Sequence, residues 1–486
     1  MIQKGMWWYT LNVADGTTSD LTPKEGYPAE AGVFDEAFDH EGRVRPPYEE
    51  LFAGLDLDRI AQAAGEVADD LAGRGVEFGP PGARSPFRID GLPRLIPGDT
   101  WTELERGLIQ RVRALNHFLA DAYGERRVVE AGIIRPELVD EALHFEPILA
   151  EAGIGVEAEV AGPDLVRGPD GGFSVIEDNL RSPSGIAYAA AGRQILETSL
   201  NAPFSSRSPE PAYELLGEAL RARDPGGDGD PAIAVLSDGP ISNAWFEHRN
   251  LAERLGVPVV IPGDLRETGG RLIARTGEGD VPVDVLYNRT STERLTLTDG
   301  TFTPLGELVI GPMKTHRLAC VNSFGTGIAD DKALHCYVDR LIRFYLDEEP
   351  LLENTPSFDL GDPAQRDEVM GRFDELVIKP RWTFGGEDIV IGPRTPGAKL
   401  DELRSSIRKS PERFIAQEMV MLSRHPTFVE GALQPRHVDL RPYVFTIGDR
   451  VEVAPVALTR FARDEGDMIV SSTRGGGAKD TWILDR

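Results

Sequence analysis

The sequence predicts a loop-rich α/β protein of two or three domains. The chain has 486 residues, which is long enough for several domains with sizeable cores. Its 52 glycines and 36 prolines favour many turns over a helical bundle. Short apolar runs that are typical of strands alternate with longer segments that show the helical period. We therefore expect sheets covered by helices.

Three helices are predicted in the first part of the chain, after a turn-rich start. They cover residues 48–55, 58–74 and 101–123. The third helix shows the clearest pattern, because its apolar residues recur every three or four positions. These positions are Leu104, Leu108, Val112, Leu115 and Leu119.

A β-hairpin with an acidic end is predicted next, within residues 164–188. The turn GPDGG at 168–172 separates two short apolar runs. Side chains alternate along a strand, so Glu177 and Asn179 share one face, and pairing of the strands brings Asp164 beside them. Two carboxylates and one amide oxygen suit a hard cation such as Mg²⁺. A hairpin with a solvated acidic end explains the same residues, and spacing alone does not decide between the two interpretations.

A second α/β unit follows residues 201–231, which are rich in Ser, Pro, Gly and Asp and predict a linker or long loop. The unit resembles a small Rossmann-like sheet, but it contains no GxGxxG, so no dinucleotide site is predicted. Its expected strands are 232–236, 258–261 and 283–287, and its expected helices are 242–255 and 306–318.

The last region begins at residue 329 with one predicted helix, DDKALHCYVDRLIRFYL. Strands are expected at 376–380, 389–391 and 414–421, followed by a hairpin within 440–456. Lys332 lies near the start of the helix, where a cation opposes the helix dipole, and this favours a phosphate partner. A frayed surface lysine is the alternative.

Other candidate nucleotide contacts follow in this region. Lys379 ends a strand, and Gly385 and Gly386 form a hairpin that can close over phosphates through backbone N–H groups. A solvated lysine and an ordinary turn explain them equally well. Arg441 and Arg460 can stabilise charge on a phosphoryl group or an acyl phosphate, although structural ion pairs are the alternative.

Composition narrows the classes of partner. The net charge of −28 argues against nonspecific binding to nucleic acid or to an anionic membrane. No apolar run approaches the roughly 18 residues of a membrane span, and the start of the chain lacks the apolar core of a signal peptide. With only Cys320 and Cys336, the chain has no disulfide framework. We expect a cytoplasmic protein.

Taken together, these segments resemble the circularly permuted ATP-grasp type 2 family, which is related to glutathionylspermidine synthetase. The resemblance runs from about residue 35 to the end, and the set of segments is far more specific than any one of them. The matching segments are GPDLVRGPDGGFSVIEDNLRSPSGIAY, GTGIADDKA, EEPLLENTPSF, LVIKP, IAQEMVMLSRHPTF, PRHVDLRPYV and GGGAKDTWIL.

The resemblance implies an ATP-grasp fold in which the metal-ligand half precedes the lysine half. We therefore expect a partly helical N-terminal region at 1–130, the metal-ligand half at 131–205, a Rossmann-like side domain at 206–328 and the nucleotide-lysine half at 329–486. The implied cofactors are ATP and Mg²⁺, or Mn²⁺ in its place.

The resemblance also implies a role for each candidate residue. The metal triad would be Asp164, Glu177 and Asn179. The nucleotide lysines would be Lys332 and Lys379, and the mobile glycine loop would contain Gly385 and Gly386. The adenine hinge would consist of Gln417, Glu418, Met419 and Val420. The phosphate-side arginines would be Arg441 and Arg460.

Three departures from the family pattern stand out. The loop RWTFGGED is bulkier than expected, and Thr473 and Arg474 replace the usual uncharged pair. Gly162 replaces an arginine of the synthetase, so that substrate contact does not transfer. We also find no amidase domain.

The resemblance implies an ADP-forming ligase that joins a carboxylate to an amine through an acyl phosphate. Its partners would be a small-molecule acid and a small-molecule amine, with no nucleic acid and no membrane. Two alternatives stay open: a non-catalytic nucleotide-binding or scaffold protein, and an ATP-dependent kinase of a small molecule. ADP release tests the first alternative, and hydroxamate formation with hydroxylamine separates a ligase from a kinase.

Overall fold

The computed structural model describes residues 32–227, 229–291, 294–297, 299–383, 388–471 and 475–485. Four antiparallel strands form one central sheet, in the order Gly477–Lys479, Arg450–Phe461, Arg441–Ile447 and Val160–Ala161. A three-stranded sheet adjoins it through a bridge between Leu165 and Leu440. The order of its strands is Glu353–Asn354, Phe173–Glu177 and Asp164–Arg167. Its last two strands are antiparallel, so the predicted acidic hairpin is confirmed.

A second antiparallel sheet carries Lys379, and we call it the lysine sheet. The order of its four strands is Ser357–Asp359, Phe414–Glu418, Leu376–Pro380 and Val390–Ile391. It packs on a small core of its own, to which Ile407 of helix Gly397–Lys409 and Val369 of helix Pro363–Val369 contribute. The helices Lys332–His335 and Val338–Leu346 precede it in the chain.

In the sequence, the segment between the acidic hairpin and the lysine sheet forms a four-stranded parallel sheet. The strand order is Ala319–Val321, Val285–Arg289, Ile233–Ser237 and Val259–Val260. The accompanying helices are Trp245–Leu255 and Pro304–Lys314. A three-stranded antiparallel meander, which the sequence analysis did not predict, is inserted here. Its strands are Leu265–Thr268, Arg271–Thr276 and Gly279–Val283.

The N-terminal part is mainly helical and is tied to the C-terminal end. Strand Arg94–Ile96 pairs in parallel with Thr481–Ile483, and a small hairpin joins Glu77–Phe78 to Ser85–Pro86. The helices of this part are Pro46–Ala53, Leu57–Gly73, Gly98–Ala122, Arg127–Glu130, Glu137–Asp140 and Pro147–Glu151. None of the helices in the described part of the chain combines the length and apolar character that crossing a bilayer requires.

The two large hydrophobic cores mix residues from several of the expected domains. One of them joins Leu108, Leu165, Ala234 and Ile415, which come from four different ranges of the chain. The expected division into four domains therefore stays a prediction.

Two predictions about secondary structure are wrong. The supposed loop at 201–231 contains helix Pro211–Ala222, because Ala212, Leu216 and Leu220 lie one turn apart and are buried. The single helix expected from residue 329 is two helices, Lys332–His335 and Val338–Leu346. The chain turns between them at Tyr337, whose hydroxyl donates a hydrogen bond to the carboxylate of Asp359 in the lysine sheet.

Candidate active site

One cavity of about 330 Å³ collects residues from widely separated parts of the chain. The predicted site residues that line it are Asp164, Glu177, Asn179, Lys379, Gln417, Glu418, Met419, Val420, Arg441 and Arg460. Lys332 is outside this lining, but its Nζ lies 3.4 Å from Oε1 of Glu177. The structure thus brings the acidic hairpin and both lysines together.

The acidic hairpin presents its three polar residues to the cavity. Asp164 is directly opposite Glu177 in the antiparallel ladder, next to a register shift. The side-chain amide nitrogen of Asn179 donates to the carbonyl oxygen of Gly162 at 3.1 Å, which leaves the amide oxygen available. Gly162 itself is tightly packed, since a Cβ there would lie 2.8 Å from Cβ of Pro183.

Asp164 is held by two arginines. Its oxygens accept hydrogen bonds from Nε and Nη2 of Arg441, at 2.6 and 2.7 Å, and from Nη2 of Arg460 at 2.9 Å. Burial alone would raise the pKa of Asp164, but the two guanidinium groups outweigh burial and lower this pKa to about 2. Arg460 also pairs with Asp439, at 2.5 Å between Nη2 and Oδ2. Asp439 therefore helps to orient the guanidinium group of Arg460.

Both nucleotide lysines of the prediction lie beside Glu177 of the acidic hairpin. Lys332 and Lys379 are both buried, and each is 7% exposed. Burial lowers the pKa of Lys379 to about 8; Glu177 raises it and Lys332 lowers it further. Two neighbouring ammonium groups that repel each other are suited to an anionic ligand.

An ion pair links the segments that carry the two lysines. Asp331 caps the helix that begins at Lys332 by accepting from the backbone N–H of Ala333. Its carboxylate also accepts from Nε of Arg381, at 2.6 and 2.7 Å, and Arg381 is fully buried two residues after Lys379. The sequence analysis missed this link, which fixes the two lysines relative to each other.

The predicted adenine hinge lies at the edge of the cavity. Gln417 is buried and donates to Oγ of Ser357 at 2.9 Å. The backbone N–H of Glu418 donates to the carbonyl oxygen of Pro356, and its carboxylate pairs with Arg372 at 2.8 Å. A ribose hydroxyl would therefore share Glu418 with Arg372.

A buried polar network lies behind the acidic hairpin and was also missed. Asp178 points away from the cavity and accepts from Nε and Nη2 of Arg111, at 2.6 Å each. Nδ1 of His335 lies 3.1 Å from the same carboxylate. Asn354 closes the network, because it accepts from Arg111 and donates to the carbonyl oxygen of His335, each at 3.0 Å. The network ties the hairpin to the helix that carries Lys332.

Several aromatic residues line the cavity without having been predicted. They are Phe78, Phe87 and Tyr188, and we call them the aromatic wall. The short N-terminal hairpin contributes Phe78, Phe87 follows it directly, and Tyr188 belongs to helix Ile186–Ala190. The sequence analysis could not predict this hairpin, since strands of two residues are too short to show a period.

Four of the predicted or discussed residues lie outside the described part of the chain. These residues are Gly385, Gly386, Thr473 and Arg474. The proposed glycine loop and its closure therefore stay predictions.

The donor set of the acidic hairpin fits a hard cation. It offers the carboxylates of Asp164 and Glu177 and the amide oxygen of Asn179, which are the oxygen ligands that Mg²⁺ takes. Within the described ranges, no cluster of three His, Cys, Asp or Glu side chains is arranged for a metal ion. A cation here would therefore need Asn179 or an oxygen of a bound substrate among its ligands.

Comparison with known families agrees with this geometry. The family description "Circularly permuted ATP-grasp type 2" matches residues 93–462. The chain belongs to this family. The resemblance inferred from the sequence is thereby confirmed.

Curated relatives of this ATP-grasp protein cover most of its length. A Frankia casuarinae protein, provisionally named glutamate–cysteine ligase 2-2, is 42% identical over 473 residues, which are 93% of this chain and 54% of the relative. An uncharacterised protein of Synechocystis sp. is 36% identical over 93% of this chain and 97% of its own length. The chain thus spans about half the length of the first of these relatives.

Among solved structures, a glutathione synthetase-like effector from Globodera pallida is similar in fold. Its TM-score is 0.56 with 12% sequence identity, and the match covers 88% of this ATP-grasp chain and 98% of the effector. At this identity the likeness concerns the fold alone.

Proposed function

We propose that this protein is an ATP-dependent ligase that joins a small-molecule carboxylate to an amine and releases ADP and phosphate. The observation that carries the proposal is that Glu177 and Lys379 line one cavity, while Nζ of Lys332 lies 3.4 Å from Oε1 of Glu177. This arrangement suits a polyphosphate whose charge is compensated by the two ammonium groups and by a cation at the acidic hairpin.

Each group of cavity residues has a separate proposed role in phosphoryl transfer. Lys332 and Lys379 would hold the phosphates as fixed charges, and Arg441 and Arg460 would stabilise the charge that develops on the transferred group. The backbone of the hinge at 417–420 would receive the adenine. Mg²⁺, or Mn²⁺, would bind at Asp164, Glu177 and Asn179 and would neutralise phosphate charge.

The proposed reaction has two steps. A carboxylate oxygen of the acid attacks the γ-phosphorus of ATP, the bond to the β-phosphate oxygen breaks, and ADP leaves. The neutral amine then attacks the acyl carbon, the bond from the acyl carbon to the phosphate oxygen breaks, and the departing phosphate takes up the proton that the amine nitrogen loses, so that an amide remains. No side-chain nucleophile is needed, and burial raises the pKa of Cys320 to about 12, which keeps this thiol protonated and unreactive.

The ion pairs of Asp164 have a consequence for this proposal. The anion that binds Arg441 and Arg460 must compete with Asp164, which already accepts three hydrogen bonds from them. A doubly charged phosphoryl group is a stronger competitor than a single carboxylate. The arginines are therefore expected to respond to the transferred phosphoryl group more than to an uncharged substrate.

The test is trapping of the acyl phosphate with hydroxylamine. Purified protein, ATP and Mg²⁺ are mixed with a panel of carboxylates that begins with glutamate, because the Frankia relative is named for glutamate and cysteine. We expect a hydroxamate and ADP in equal amounts, and neither product from Glu177→Gln. ADP release together with a stable phosphorylated product and no hydroxamate would show a kinase, and absence of any ATP-dependent product would favour a scaffold protein.

A further inference from the structure

The aromatic wall is one of the apolar parts of the cavity lining, which also contains charged residues such as Lys379, Arg441 and Arg460. The ring centroids of Phe87 and Tyr188 are 4.4 Å apart, and those of Phe78 and Tyr188 are 5.9 Å apart with the rings at 86°. The three rings therefore pack as one continuous apolar surface. Leu458, which lines the same cavity, extends this surface.

The position of Tyr188 is fixed, and its polar end is already used. Its hydroxyl donates to the carbonyl oxygen of Glu77 at 3.0 Å. Phe246 lies beside it, with 5.5 Å between the ring centroids. Tyr188 is only 2% exposed, so it offers the cavity ring carbon and no free hydroxyl.

The aromatic wall lies at the arginine end of the cavity. Nη1 of Arg441 donates to the carbonyl oxygen of Ser184 at 3.3 Å, just before the helix that carries Tyr188. Leu458 is directly opposite Arg441 in the antiparallel ladder. The lysine sheet, which supplies Gln417 of the hinge, contributes none of the three aromatic residues.

We propose that the aromatic wall is a substrate subsite, and that the acid carries a bulky apolar or aromatic group that packs against it. The proposal rests on the proposed ligase function and names its substrate class. A charged side chain at this place would lose its hydration without gaining a partner, because Phe78, Phe87, Tyr188 and Leu458 offer none. An apolar group would instead gain from leaving water.

The test compares two carboxylates that share one end and differ at the other. Calorimetry measures the binding of 3-phenylpropionate and of glutarate to the protein saturated with Mg²⁺ and a non-hydrolysable ATP analogue. We expect 3-phenylpropionate to bind at least tenfold more tightly. Equal affinities, or a preference for glutarate, would overturn the subsite.

Two variants locate the effect within the cavity. Phe87→Ala should remove most of the preference for 3-phenylpropionate and leave the affinity for the nucleotide analogue unchanged. Ile391→Ala, on the lysine sheet, should lower the affinity for the nucleotide analogue and keep the preference for 3-phenylpropionate. Phe87→Leu, which keeps much of the apolar volume, should retain part of the preference. If Phe87→Ala lowers the affinity for the nucleotide analogue as much as Ile391→Ala does, the aromatic wall contacts the adenine and the proposal fails.

Hydroxamate formation separates this proposal from the proposed function. A binding preference for 3-phenylpropionate without any hydroxamate, from either acid, would support the subsite and contradict the ligase. Hydroxamate formed faster from glutarate than from 3-phenylpropionate would support the ligase and overturn the subsite.

Discussion

Two neighbouring carboxylates at the end of strand Phe173–Glu177 lie on opposite faces and differ in exposure and in ion pairing. They are those of Glu177 and Asp178. On the cavity face, the side chain of Glu177 is 25% exposed and forms an ion pair with Lys332 at 3.4 Å. On the opposite face, the side chain of Asp178 is 1% exposed and is held by two bonds of 2.6 Å from Arg111.

The difference separates a structural carboxylate from one that is available to a ligand. Burial alone would raise the pKa of Asp178, but Arg111 and His335 hold it well below the usual range. Glu177 keeps part of its surface in the cavity and has room for another partner. Loss of Asp178 should therefore affect folding, and loss of Glu177 should affect function.

The largest effect is expected when the ion pair between Asp178 and Arg111, on the face opposite the cavity, is removed. Asp178→Ala leaves the guanidinium of Arg111 buried without its main partner, and this should lower the free energy of unfolding by about 3–5 kcal/mol. Urea denaturation measures the change. Asp70→Ala, which removes the exposed ion pair with Arg74, is the matched control and should cost less than about 1 kcal/mol. Similar losses in the two variants would remove the distinction between the faces.

The converse effect is expected on the cavity face. Glu177→Gln keeps the size of the side chain and removes its charge, so turnover should fall by about 100-fold or more while the free energy of unfolding changes by less than about 1 kcal/mol. Asn179→Ala should behave in the same way. Turnover is measured as hydroxamate formation at saturating Mg²⁺, and a rate unchanged in either variant would exclude that residue from the proposed metal triad.

Glu159 extends the comparison, because its carboxylate is buried and its ion pairing is incomplete. Its Oε1 lies 3.0 Å from Nε of Arg223, which also pairs with Glu157 at 2.9 Å. Burial raises the pKa of Glu159 from 4.5 to about 8, since the shared arginine compensates only in part.

This shift predicts how stability depends on pH. Between pH 4.5 and about 8 the folded chain keeps a proton on Glu159 that the unfolded chain has lost. Stability from this group is therefore complete below pH 4.5 and is lost as the pH rises to about 8, by at most about 1.4 kcal/mol per pH unit. Glu159→Gln should flatten the dependence in urea denaturation at several pH values. Parallel curves for the two proteins would contradict the assignment.

The sequence predicts those parts of the site that depend on local patterns. Alternation along a strand is enough to place Glu177 and Asn179 together, and an apolar run that ends in Lys379 marks a strand end. The partners of Asp178 could not be predicted in this way, because pairing with Arg111 and His335 is long-range. One signal was present: Arg111 follows Leu108 by three positions, so it lies on the apolar face of its helix.

The most direct test of the account is the binding of MgATP to the wild-type protein, Lys379→Ala and Lys409→Ala. Lys379 is buried in the cavity, whereas Lys409 is an exposed lysine of helix Gly397–Lys409. Calorimetry should show Mg²⁺-dependent binding that Lys379→Ala weakens about tenfold or more and that Lys409→Ala leaves unchanged. Affinity should also fall as the pH rises past about 8, where Lys379 loses its proton. Equal affinity of Lys379→Ala and the wild-type protein, or binding that ignores Mg²⁺, would contradict the claim that the acidic hairpin and the lysines hold one nucleotide between them.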